Sequence, residues 1–201
     1  ETTLEPSQEV IDTLKDEIEW DIKDYQKLYQ NIHGLVLSIQ SAEVTVTGVT
    51  QELDLFNAVY ESMDKCIGYI FAQNSTELMI MAETKNVSGI ENLEVTFVDG
   101  SKVAAQIRGT DANTGLAVLV VEKEQMSEST LGVIIFLNLG SSSLSTLIAS
   151  PVIAMGSPLG NRSVVYGMIT SVDTVVSMPD ANYKVLTTDI YGSENAGGIL
   201  V

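Results

Sequence analysis

From residue 43 onward the sequence breaks into short β-branched runs, with turn signals between most of them. Val44-Thr45-Val46-Thr47-Gly48-Val49 alternates in the way a half-buried strand does. Residues 67–72, 77–82, 93–98, 102–108, 116–122, 133–137, 151–155, 163–171 and 183–188 read the same way. Asp99-Gly100, followed by Ser101, marks a tight hairpin, because Gly supplies the positive φ such a turn needs. Residues 111–115, 140–143 and 156–160 read as further turns. About ten short strands at this spacing predict an all-β sandwich or a pair of barrels.

The first forty residues carry a different rhythm. Pro6-Ser7 reads as a helix start, with Ser7 as N-cap and Glu9 near the positive end of the dipole. Val10, Ile11, Leu14, Ile18, Ile22, Tyr25, Leu28 and Tyr29 recur at spacings of three and four, and Ile32, Leu35, Val36 and Ile39 continue the period. One or two amphipathic helices over 8–40 follow. They serve either as packing on the chain's own domain or as a stalk or oligomer contact. His33 lies on this stretch and reads as an ordinary half-buried helix residue.

Charge and composition remove several function classes. The formal net charge is −17, which repels phosphate backbones and anionic membrane surfaces, so no nucleic-acid partner is expected. The apolar runs 115–121 and 131–137 are far short of the ~20 residues a bilayer span requires. With one cysteine, Cys66, and one histidine, no intramolecular disulfide and no Cys/His zinc cluster can form. Asp180 and Asp189 lack a spaced set of oxygen ligands and read as solvated turn residues, so neither metal nor cofactor is expected. The chain opens on Glu1 rather than Met and reads as part of a longer protein.

Four strings, in order, carry a resemblance. They are Gly109-Thr110-Asp111-Ala112-Asn113-Thr114-Gly115-Leu116-Ala117-Val118-Leu119; Pro151-Val152-Ile153-Ala154-Met155-Gly156-Ser157-Pro158-Leu159-Gly160; residues 163–171; and Leu186-Thr187-Thr188-Asp189 followed by Asn195-Ala196-Gly197-Gly198. Together they resemble the HtrA-type trypsin-like serine proteases over roughly residues 42–201. The resemblance implies two antiparallel six-stranded β-barrels with a cleft between them, preceded here by the helical segment. The expected division is an acidic helical segment at 1–41, a first barrel at 42–125 and a second at 126–201 whose last strands are missing.

The same resemblance implies a site that has lost its chemistry. A serine protease needs a hydroxyl nucleophile, an imidazole to take its proton and a carboxylate to orient the imidazole. The matching strings put Ala196 at the nucleophile, Gly115 at the carboxylate and Lys85 at the imidazole. No His occurs in residues 34–201. The oxyanion-hole positions fall on Glu194, Asn195 and Ala196, where the Glu194 carboxylate opposes a developing oxyanion. A Ser193–Lys85 pair is the only substitute couple, and it reads as a turn serine beside a solvated lysine.

The expectation is therefore a pseudoprotease of the bacterial cell envelope, anchored by a segment upstream of Glu1. It would bind a protein or extended peptide along Thr187, Thr188, Ile190, Tyr191 and Gly192. An active endopeptidase with a non-standard site, and a structural module oligomerising through the N-terminal helix or an open C-terminal sheet edge, stand as the alternatives.

Overall fold

In a computed structural model, residues 8, 22–53, 59–90, 92–141, 147–157, 162–192 and 197–201 are described. They fall into two units, Glu1–Gln40 and Ser41–Val201. In the first, α1 (Ile22–Gln40) is the helix that the apolar period predicts, with Asp24 in its first turn. Leu28, Tyr29, Leu35 and Leu37 are exposed on it. His33 is exposed as well, rather than half-buried. The predicted helical residues 9–21 and the Ser7 cap lie outside the described residues.

The second unit begins with six strands: β1 (Glu43–Leu53), β2 (Val59–Gln73), β3 (Glu77–Glu83), β4 (Asn92–Thr96), β5 (Lys102–Asp111) and β6 (Leu116–Glu122). They close into a barrel in the order β1-β2-β3-β6-β5-β4. Alternation sends one face of each strand inward, as in β3, where Leu78, Ile80 and Ala82 are buried. Ile70, Leu78, Ile80 and Leu119 are sealed completely, each removing roughly 1.5–3 kcal/mol of apolar surface from water. The Asp99-Gly100 hairpin forms as expected. Gly100 has φ +82, its N–H donates to the Phe97 carbonyl at 2.9 Å, and Asp99 Oδ1 accepts from the Ser101 N–H.

The run at 133–137 is not a strand. Ser127 caps a short helix, α2 (Glu128–Val133), accepting from the Thr130 N–H at 3.1 Å, and this consumes the start of the run. The rest is extended and ties to the barrel through single bonds, Ile135 N–H to the Ser41 carbonyl and Leu137 N–H to the Ile70 carbonyl. Thr130, fully buried, donates to Asp99 Oδ2 at 2.7 Å and so fastens α2 to the β4–β5 hairpin.

Beyond it lie β7 (Pro151–Ser157), β8 (Ser163–Ser177), β9 (Asn182–Thr188) and β10 (Gly197–Leu200). They make a four-stranded sheet ordered β10-β7-β8-β9. The described residues thus hold one closed six-stranded barrel and one open four-stranded sheet, where a second six-stranded barrel lacking its last strands was expected. The sheet repeats the barrel's own order, since β4-β1-β2-β3 is the barrel with β5 and β6 removed. Among the described residues, one core cluster of the sheet is Val152, Ile169 and Val172, with Leu147, Leu186 and Ile190 partly covered, and Ile153, Ala154 and Met155 of β7 are buried as well. Gly156, expected in a turn, lies in β7 with φ +120 opposite Gly198, because two Cα atoms without side chains meet there. Residues 158–160 of that expected turn lie outside the described residues.

Candidate functional site: a cleft between barrel and sheet

Among the contacts that join the halves of the second unit, two lie at one seam. The Tyr69 hydroxyl on β2 donates to the Met155 carbonyl on β7 at 3.3 Å. Arg162, just before β8, pairs with Glu43 at the start of β1 at 2.6 Å. Burial raises the Glu43 carboxyl above its ordinary range, and the Arg162 charge only partly opposes this. A raised folded value means stability is greatest below the unfolded pKa and falls as pH rises through the folded one. Glu43→Gln is therefore expected to raise the urea midpoint near neutral pH and leave it unchanged in acid. An equal shift at both pH values would refute that.

Beside this seam is a cleft of about 600 Å³. Its barrel wall is built where β3 ends. Glu83 closes the strand, and Thr84–Asn86 form a single 3₁₀ turn. The Thr84 N–H donates to the Gly115 carbonyl at 2.8 Å, which continues the β3–β6 pairing past Glu83 and Leu116. Gly115 has φ +71 and closes the turn that begins at Asp111, its N–H donating to the Asp111 carbonyl. The positions assigned to imidazole and carboxylate thus lie on two turns joined through their main chains. Thr84 Oγ1, beside them, is buried without a hydrogen-bond partner among the described residues.

The side chains in the cleft form a pinned carboxylate. Lys85 Nζ lies 3.0 Å from Glu83 Oε2, and Asn86 Nδ2 donates to the same oxygen at 3.0 Å. Glu83 Oε1 lies against Gly197, where a Cβ would come within 1.6 Å of it. Lys85 is therefore an ion-paired cation. The half-buried Cys66 thiol is pushed up to about 11, by desolvation first and by the Glu83 charge second, so it stays protonated at neutral pH. The chain's one histidine is in the first unit, so no imidazole belongs to this unit. Among the described residues no group of His, Cys, Asp and Glu is placed to hold a metal ion.

Lys85 and Gly115 are thus brought together. Ser193, Glu194, Asn195 and Ala196 lie outside the described residues. Thr187 and Thr188 end β9, half-buried Ile190 packs on the small core, and Tyr191 is exposed. Neither these four nor Gly192 are among the described residues lining the cleft. Asp189 is engaged rather than simply solvated, its Oδ1 accepting from the Met168 N–H at 2.7 Å. Sequence reasoning missed Glu83, Lys65 and Tyr69 as lining residues. Glu83 shares the outward face of β3 with Met79 and Met81, which the unbroken apolar run at 78–82 does not reveal in sequence.

The chain is 32% identical over 142 residues to a serine protease Do-like HtrA of Bacillus subtilis (strain 168), a match covering 67% of this chain and 30% of that protein. The chain belongs to the HtrA-like, trypsin-like family. A serine protease Do-like HtrA of Lactobacillus helveticus is 27% identical over 151 residues, 72% of this chain and 34% of its own length. A probable periplasmic serine endoprotease DegP-like of Halomonas elongata is 29% identical over 135 residues, 66% and 26% respectively. No protein-family model matches the chain. This HtrA-like chain spans about a third of the length of the curated relatives it matches. No described helix is long and apolar enough to cross a membrane.

Proposed function

We propose that this HtrA-like chain is a trypsin-like domain that binds extended protein segments without hydrolysing them. The observation that carries the reading is Lys85. The turn beside Gly115, where the family's general base is expected, presents an ammonium already paired with Glu83. Such a group has no lone pair with which to take a proton from a hydroxyl. The assignments of Ala196 to the nucleophile and of Glu194 to the oxyanion hole are part of the same proposal.

The finer fold is proposed with it. The order β10-β7-β8-β9 supports reading the open sheet as four strands of a second six-stranded barrel. The division is then 1–41, 42–125 and 126–201. The edges of β9 and β10 that are unpaired among the described residues, and the stretch 187–192 at the end of β9, are surfaces on which an extended segment can pair. An envelope location is proposed from the relatives, one of which is named as periplasmic. Self-association through α1 is a second reading, favoured by exposed Leu28, Leu35 and Leu37.

The test is incubation with denatured casein, followed by mass spectrometry and by co-sedimentation. Casein is expected to be retained intact. Cleavage that a single substitution in this chain abolishes would overturn the reading.

A further inference from the structure

The cleft shares two lining residues, Thr45 and Lys65, with a second groove of about 790 Å³ on the outer face of the barrel. Lys65 on β2 stands opposite Thr47 of β1, and Thr47 opposite Glu94 of β4. At roughly 4.8 Å per strand, Lys65 and Glu94 are separated by about 10 Å along this row. Glu94 is already taken, since Lys102 Nζ lies 2.6 Å from it. Glu83, on the cleft side, is held by Lys85.

The other basic residues of this unit are all engaged. Arg108 pairs with Glu77, Arg162 with Glu43 and Lys184 with Asp173, while Lys123 donates to the Asn74 carbonyl. Lys65 is exposed and has no polar partner among the described residues. In a chain of net charge −17, an ammonium with no partner among the described residues, at the junction of two grooves, is a point of attraction for a carboxylate.

We propose that Lys65 is a specificity-determining residue. An extended peptide passing from the cleft onto the outer groove sets one carboxylate, from Asp, Glu or a chain terminus, against it. The inference rests on the reading that the chain binds extended segments, and adds a path for one through the cleft, apart from the edges of β9 and β10. No internal bond must break for this contact, because the ammonium gives up water alone. The rest of the peptide is neutral or basic, since a strongly acidic segment is repelled by the chain as a whole. Being exposed, the pair confers about a two- to fivefold preference, and salt weakens it.

The test is a cellulose-bound array of decapeptides cut from denatured casein, each made also with Asp and Glu replaced by Asn and Gln. It is probed with the wild type, Lys65→Gln and Lys65→Arg. Peptides with a single carboxylate are expected to bind the wild type about two- to fivefold better than their amide versions. Lys65→Gln should erase that preference while still binding amide peptides, and Lys65→Arg should keep it. Equal binding of acidic and amide peptides, or a preference surviving in Lys65→Gln, overturns this inference alone. No binding of any peptide overturns it together with the reading beneath it.

Discussion

Ala196→Ser by itself leaves the chain unreactive towards a fluorophosphonate probe, at a labelling rate at least about 10⁴-fold below an active HtrA-type control. A serine hydroxyl without a base is a poor nucleophile, and nothing described in the cleft takes its proton. Lys85 is engaged with Glu83, Cys66 is a protonated thiol, and Gly115 has no side chain. Restoring the carboxylate is harder than the sequence suggests. A Cβ at Gly115 would meet nothing within 4 Å, yet φ is +71, where an Asp pays a backbone penalty of about 1–3 kcal/mol. The triple change Lys85→His, Gly115→Asp, Ala196→Ser is accordingly expected to label more than the single one and far less than the control. Labelling of the wild type, or of Ala196→Ser at the control rate, would show that a base exists and that the assignment of roles is wrong.

Gly198→Ala should be the most damaging single methyl in the open sheet. Its Cβ would stand 2.0 Å from the Met155 carbonyl oxygen and 3.1 Å from the Gly156 Cα. Both obstacles are backbone, so neither can rotate away. The φ of +138 adds strain for any residue with a side chain. β10 must part from β7, and a cost of about 3 kcal/mol or more is expected. The signature is regional. Amides of 151–157 and 197–201 should lose hydrogen-exchange protection while β3 and β6 keep theirs. Gly109→Ala, on β5 with nothing within 4 Å of the new Cβ, is the control and should be near neutral. Equal protection in both variants would refute the close approach.

The barrel was legible because its strands alternate cleanly. Val44-Thr45-Val46-Thr47 announces one buried face, and Asp99-Gly100 announces its hairpin. The longer strands were under-read. β2 begins at Val59 and β8 runs to Ser177, since β-hairpin arms continue through polar residues once the partner strand supplies the hydrogen bonds. Residues 133–137 misled for the opposite reason, because an apolar run cannot report that Ser127 has already started a helix. For the site, the resemblance singled out Lys85 and Gly115, and only the structure shows that they sit on two turns joined by the Thr84–Gly115 bond. Glu83 escaped notice because nothing in its neighbourhood of sequence reveals that Gly197 lies across from it. Lys65 escaped because its lack of a partner among the described residues is visible only in three dimensions.

The bond between the Thr84 N–H and the Gly115 carbonyl carries a consequence for how such a chain can change over generations. It is made by main chain on both sides, so almost any residue except proline at 84 preserves it. The two turns hold their places whether or not an imidazole and a carboxylate are mounted on them. Selection for hydrolysis and selection for folding therefore act on separate atoms here. Residue 85 can change without touching that bond, while 115, at φ +71, stays best suited to glycine, so the scaffold persists under changes of the side chain mounted at 85.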